Sequence, residues 1–166
     1  MQSVSKILAS LDVKTLGIFA TRATIESGAY QNEIAKYNPE INVVGQYCPN
    51  WVHIVEENSM DSDENQAIIL NDLEKMLQNK PEKIVLGCTH YPFLTSVLSK
   101  LVPESMFIDP AVDFANFIKH DLQKSNLLAT DGISSEEFYV SSNPELFQSS
   151  AKMFYDVKEL PELLLF

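Results

Sequence analysis

The sequence predicts a doubly wound α/β fold, a parallel sheet with flanking helices on both faces. Three observations carry that prediction. Short apolar runs alternate with longer segments of helical period, the rhythm of βαβ units. Two of the runs, LGIFAT and KIVLGCTH, are nearly continuous in apolar residues, as a strand covered on both faces requires. The chain has 166 residues, 45% of them hydrophobic, which suffices for one compact α/β domain or a domain and a half.

Residues 1–11, MQSVSKILASL, read as a partial helix with no strand before it. Strands are predicted at 16–21 (LGIFAT), 41–47 (INVVGQY), 83–90 (KIVLGCTH) and 105–110 (SMFIDP). Helices are predicted at 24–37, 50–58, 63–79, 92–101 and 110–124. Within 63–79, Ile68, Ile69, Asp72, Leu73, Met76 and Leu77 gather most apolar groups on one face. Asp109 is placed to cap the 110–124 helix, with Pro110 at its first position. After about residue 125 the texture changes. KSNLLATDGISSE reads as a loop, EFYVSS (137–142) as a strand, and NPELFQSSAKMFYD (143–156) as a helix capped by Asn143 with Pro144 at N1. The tail KELPELLLF is an apolar end that needs a surface to pack on. No internal repeat or low-complexity stretch interrupts this order.

Twelve basic residues against 23 acidic ones give a net charge of −11. Such a chain is repelled by phosphate backbones and anionic membranes, so neither nucleic acid nor membrane is expected as a partner. An anionic ligand would have to be attracted locally, by backbone N–H groups or a single cation. No run reaches the roughly 18 apolar residues of a membrane span. Residues 1–20 lack the layout of a signal peptide, so the expected compartment is a reducing cytoplasm. Two cysteines, Cys48 and Cys88, are too few for a disulfide scaffold. Cys48, His53, Cys88 and His90 match no common zinc spacing, so no metal is expected.

The segment GCTHYPF (87–93) carries the main candidate site. Gly87 allows close backbone approach, and Pro92 suits the first turn of the next helix. Cys88, Thr89 and His90 are thereby placed at the carboxyl end of a central strand, where open α/β sheets bind ligands. A helix N-terminus beside them would lower the thiol pKa and favour anions. If the backbone is extended there, Cys88 and His90 share one side, and the imidazole can take or give a proton. Cys88 also has an ordinary reading, as a small packing residue beyond a strand. Cys48, in QYCPNW, reads as structural.

Two further clusters surround this segment. In ATRATIESGAYQ (20–31), Thr21 and Thr24 can cap the following helix or offer hydroxyls to a carboxylate. Arg22 can attract an anion or sit as solvated surface. In NWVHIVEEN (50–58), Glu56 is spaced to meet His53 one turn away, or to orient His90 across a cleft, and a solvated Glu56–Glu57 pair is the plainer reading.

Together, FATRATIESGAYQ, YCPNWVHIVEEN, IVLGCTHYPFL and IDPAVDFANFI resemble the second half of the glutamate racemase family, in order and spacing. The likeness runs from about residue 14 to 125, and more loosely to 156. The Gly-Cys-Thr-His-Tyr-Pro block is shared with the wider aspartate/glutamate racemase superfamily. The resemblance implies a cofactor-independent isomerase acting on the small-molecule substrate glutamate, which supplies D-glutamate for peptidoglycan. It implies two cysteines on opposite faces of the substrate α-carbon, one from each of two similar α/β domains. By position, Cys88 corresponds to the second catalytic cysteine, with His90 assisting it and Glu56 supporting the histidine. Thr89, Thr21 and Thr24 fall at substrate-contacting positions.

The family's Asp-Ser-Gly, Pro-Tyr-Gly and Cys-Asn-Thr loops do not occur in this sequence. The resemblance therefore implies one racemase-type domain plus a C-terminal strand and helix belonging to a first domain. The expected boundaries are 1–11 for a helix or linker from that first domain, 12–109 for the second racemase domain, and 110–166 for the returning segment. A separately encoded N-terminal half, or a homodimer bringing two Cys88 thiols together, would complete the site. Two other classes stay open: a non-catalytic module binding an acidic amino acid or a partner, and a single-thiol hydrolase or transferase using Cys88 and His90.

Overall fold

Leu16, Ile18 and Ala20 enter one core of the protein and Phe19 enters the other, the alternation of a strand buried on both faces. The computed structural model describes residues 2–129, 132, 134–152 and 154–164. The chain divides into two compact units, Met1–Asn126 and Leu127–Phe166.

In the first unit the elements run α1 (Gln2–Leu8), β1 (Thr15–Ala20), α2 (Arg22–Glu26), α3 (Ala29–Ala35), β2 (Asn42–Tyr47), α4 (Trp51–Glu56), α5 (Asp63–Leu77) and β3 (Lys83–Leu86). A 3-10 turn (Tyr91–Leu94), α6 (Thr95–Leu98), β4 (Phe107–Ile108) and α7 (Pro110–Lys124) complete it. The strands form one parallel sheet in the order β2-β1-β3-β4. This is the expected doubly wound class. The chain winds outward from β1 to β2, then crosses back to β3, so the winding reverses between β1 and β3. Open α/β sheets bind ligands at that crevice, outside the carboxyl ends of the strands. Ala20 stands opposite Tyr47, and Phe19 opposite Leu86. The segments that follow β1, β2 and β3 therefore leave the sheet along one edge.

One face of the sheet packs Phe19, Ile84 and Leu86 against Trp51, Val55, Leu73, Met76, Tyr91 and Leu94. The other packs Leu16, Ile18 and Val85 against Val4, Leu8, Tyr30 and Ile34. α5 starts where predicted because Ser62 caps it, accepting a 3.3 Å hydrogen bond from the Asn65 N–H. α7 likewise begins on Asp109, whose carboxylate accepts from the Ala111 N–H at 2.9 Å.

Several boundaries differ from expectation. The helix predicted over 24–37 is two helices, broken at Gly28, which adopts a left-handed φ of 61°. The strand predicted over 83–90 ends at Leu86, and residues 88–91 form a turn closed by the Tyr91 N–H on the Cys88 carbonyl at 3.1 Å. The helix predicted over 92–101 is the 3-10 turn followed by the short α6. The strand predicted over 105–110 shrinks to Phe107–Ile108.

The second unit holds β5 (Tyr139–Val140), α8 (Pro144–Ala151) and β6 (Glu162–Leu163). β5 and β6 pair in parallel, so the tail contains a strand that its composition did not announce. Asn143 caps α8 by accepting from the Leu146 N–H at 3.2 Å, with Pro144 at N1 as predicted. Met1, Thr130, Asp131 and Ile133 of the predicted loop, Met153 of the predicted helix, and Leu165 and Phe166 of the apolar tail lie outside the described residues. No helix among the described residues is long and apolar enough to cross a membrane.

Candidate active site

Gly87 sets the local course of the chain. Its N–H donates to the Phe19 carbonyl at 2.7 Å. A Cβ placed there would lie 2.9 Å from that same oxygen and 3.0 Å from the Tyr30 hydroxyl. Only glycine lets β3 end this close to its neighbour. The turn that follows presents Cys88, Thr89 and His90 at the switch point.

Cys88 is half-buried, and its Sγ lies 3.8 Å from His90 Nδ1. The other ring nitrogen, Nε2, lies 3.2 Å from Glu56 Oε1 at the end of α4. The turn thus brings thiol, imidazole and carboxylate into one line without the extended backbone assumed from the sequence. Nε2 thus faces the Glu56 carboxylate, and Nδ1 is the ring nitrogen that faces Cys88 Sγ. Thr89 Oγ1 also approaches Nδ1, at 3.4 Å. The helix dipole expected to assist the thiol is short: one 3-10 turn and a four-residue α6. The imidazole is the nearer polarising group.

An aromatic stack fixes this line. Trp51, which opens α4, lies between Phe19 of β1 and Tyr91, which follows His90. Their ring centroids are 4.7 Å apart for Phe19–Trp51 and 4.9 Å for Trp51–Tyr91. Each such pair contributes about 0.5–1.5 kcal/mol beyond burial. The Tyr91 hydroxyl also donates to the Cys48 carbonyl at 3.2 Å. Packing of these rings ties the helix bearing Glu56 to the turn bearing His90.

Thr21 is the N-cap residue of α2, yet its side chain makes no capping bond. Its Oγ1 meets Thr24 Oγ1 at 3.2 Å instead. Both hydroxyls are half-buried beyond the end of β1. Arg22 lies over the Tyr47 ring, with Cζ 4.9 Å from its centroid, and donates to the Tyr47 hydroxyl at 3.2 Å. Cys48 is only 3% exposed, and burial above all pushes its thiol far up. It is a core residue, as its flanks suggest. No group of three or more His, Cys, Asp or Glu residues suited to a metal occurs among the described residues.

A cavity of about 250 Å³ opens beside Cys88. Tyr30, Gly87, Thr89, Asp109 and Phe114 help to line it. His90, Glu56, Thr21 and Thr24 are not in that lining; His90 and Glu56 form the line that meets Cys88, and Thr21 and Thr24 meet each other. Tyr30 and Asp109 were not singled out as site residues from the sequence. Asp109 is legible there only as a helix cap, and Tyr30 only as a polar-ended core residue within the SGAYQ segment.

A parallel α/β domain with a thiol–imidazole–carboxylate line at its switch point defines a class of enzymes that move protons at carbon or acyl centres. The comparisons narrow that class. The family model for Asp/Glu/hydantoin racemases matches residues 1–115, and the chain belongs to that family. A glutamate racemase of Prochlorococcus marinus is 32% identical over 157 residues, covering 93% of this chain and 59% of that protein. One of Trichodesmium erythraeum is 34% identical over 135 residues, covering 81% and 50%. Among solved structures, glutamate racemase of Francisella tularensis in complex with D-glutamate superposes with a TM-score of 0.86 at 28% identity. That alignment covers 99% of this chain and 62% of the other. The Thermus thermophilus enzyme in complex with beta-chloro-D-alanine gives 0.79 at 25%, covering 99% and 61%. The chain therefore spans between half and two thirds of the length of these relatives.

Proposed function

We propose that this chain carries one of the two acid/base faces of a glutamate racemase, with Cys88 as the group that exchanges the substrate's α-hydrogen. The observation that supports this most is the line Glu56–His90–Cys88, with contacts of 3.2 Å and 3.8 Å, ending on a sulfur that borders a cavity. His90 Nδ1 takes the Cys88 proton, and Glu56 stabilises the imidazolium that forms. The thiolate then removes the α-hydrogen of glutamate and becomes a thiol again. The electron pair left on the α-carbon delocalises into the substrate carboxylate. Hydroxyls of Thr21, Thr24 and Thr89 donate to the substrate's oxygens. These steps use side chains alone.

Inversion needs a second acid on the opposite face. Cys48 is not that acid, because it is buried in the core with its proton held tightly. We assign the second acid to polypeptide corresponding to the part of the relatives that this chain does not match. In that arrangement residues 12–109 are the racemase domain, and 1–11 and 110–166 serve the first domain. The product, D-glutamate, is a building block for peptidoglycan made in the cytoplasm.

The test is α-hydrogen exchange of glutamate in heavy water, followed by proton NMR. Wild-type and Cys48→Ala chains are expected to exchange, and Cys88→Ala to lose exchange. Equal exchange by Cys88→Ala would refute the assignment.

A further inference from the structure

Tyr30 is 6% exposed, on the first turn of α3, and faces Gly87, the residue before Cys88. Its ring and hydroxyl crowd the Gly87 Cα: an added Cβ would meet Oη at 3.0 Å and Cε2 at 3.2 Å. Tyr30, Gly87 and Cys88 line the same cavity. No hydrogen bond joins the Tyr30 hydroxyl to another side chain among the described residues, and the hydroxyl is not one of the fully enclosed unpaired groups, so it opens onto the cavity. A phenol so placed buries its ring and keeps its hydroxyl available as a donor at the cavity. Burial, and secondarily the charge of Cys88, push its ionisation upward, so it stays a neutral donor at working pH.

The cavity wall is otherwise largely apolar. Asp109 is its carboxylate, with one oxygen held by the Ala111 N–H. A chain of charge −11 offers little long-range attraction for an anion. An anionic ligand beside Cys88 therefore depends on short-range donors, and an amino acid's ammonium group suits Asp109 better than a second carboxylate does.

Resting on the racemase reading, we infer that the Tyr30 hydroxyl is a substrate-binding donor, giving its hydrogen bond to a carboxylate oxygen of the acidic amino acid in the cavity beside Cys88.

The test compares wild type with Tyr30→Phe, which removes one oxygen and keeps the ring. Iodoacetamide labelling of Cys88 is measured against increasing glutamate, with the thermal midpoint read in parallel. A hydrogen bond to a charged acceptor predicts that Tyr30→Phe needs about 10–100-fold more glutamate for half-protection. The midpoint is expected to stay the same, because no internal bond is lost. Equal protection of the two proteins overturns the inference and leaves the racemase reading intact. A lowered midpoint also overturns it, since the hydroxyl then has an internal partner. A wild-type chain that glutamate fails to protect removes the ligand assignment, and this inference with it.

Discussion

Replacing Gly87 by alanine tests whether the close approach of β1 and β3 builds the site. The new Cβ would sit 2.9 Å from the Phe19 carbonyl oxygen, against 3.4 Å for ordinary contact, a shortfall of about 0.5 Å. That oxygen is backbone, so it cannot rotate away. It is also held by the 2.7 Å bond from the Gly87 N–H, which a retreat would stretch. Overpacking costs about 1–3 kcal/mol, and a weakened hydrogen bond adds about 0.5–1.5 kcal/mol. We expect a loss of about 2–4 kcal/mol, or roughly 4–16 °C in thermal midpoint for a chain of this size. Gly45→Ala serves as the control. Its Cβ would meet only the movable ends of Gln31 and Ile25, each at 3.1 Å, and the cost should stay below about 1 kcal/mol. Calorimetry gives the midpoints, and iodoacetamide labelling of Cys88 reports the turn. A Gly87→Ala midpoint equal to that of Gly45→Ala, with unchanged labelling, would refute this reasoning.

Burial pushes Cys48 up from 9.0, and Tyr30 and Tyr91 up from 10.0. The unfolded chain releases these protons first, so it binds fewer of them above pH 9. Their contribution is complete below that pH, and stability should fall as pH rises beyond it, by up to about 1.4 kcal/mol per unit for each group. Urea midpoints that hold steady or rise between pH 8 and 10.5 would contradict the burial of these groups. Glu56 is half exposed, so Glu56→Gln should change stability by less than about 1 kcal/mol. The same change should slow Cys88 labelling several-fold at neutral pH, because His90 loses its orienting carboxylate. Unchanged labelling would detach Glu56 from the thiol.

The sequence carried the fold well where local chemistry is decisive. The apolar runs of β1 and β3 are readable because both faces are buried. The starts of α7 and α8 are readable because Asp109–Pro110 and Asn143–Pro144 are cap-and-N1 pairs. The break at Gly28 is less visible, since an isolated glycine can sit inside a helix and only the left-handed φ reveals the interruption. The end of β3 at Leu86 depends on crowding by Phe19, which lies 68 residues earlier than Gly87. Of the site, residue types and order are legible, and the resemblance names the class. The meeting of Glu56 with His90 is offered there only as one of several readings, since the contact depends on Phe19, Trp51 and Tyr91 packing together. Tyr30 comes to Cys88 only through the packing of α3 on the sheet.

Stereochemistry tests the central claim most directly. The wild-type chain is incubated separately with L- and D-glutamate in heavy water, and deuterium at the α-carbon is measured with optical rotation. A single sulfur working from one face predicts deuteration of one enantiomer with its configuration retained. Deuteration of both enantiomers, with rotation decaying to zero, would contradict it.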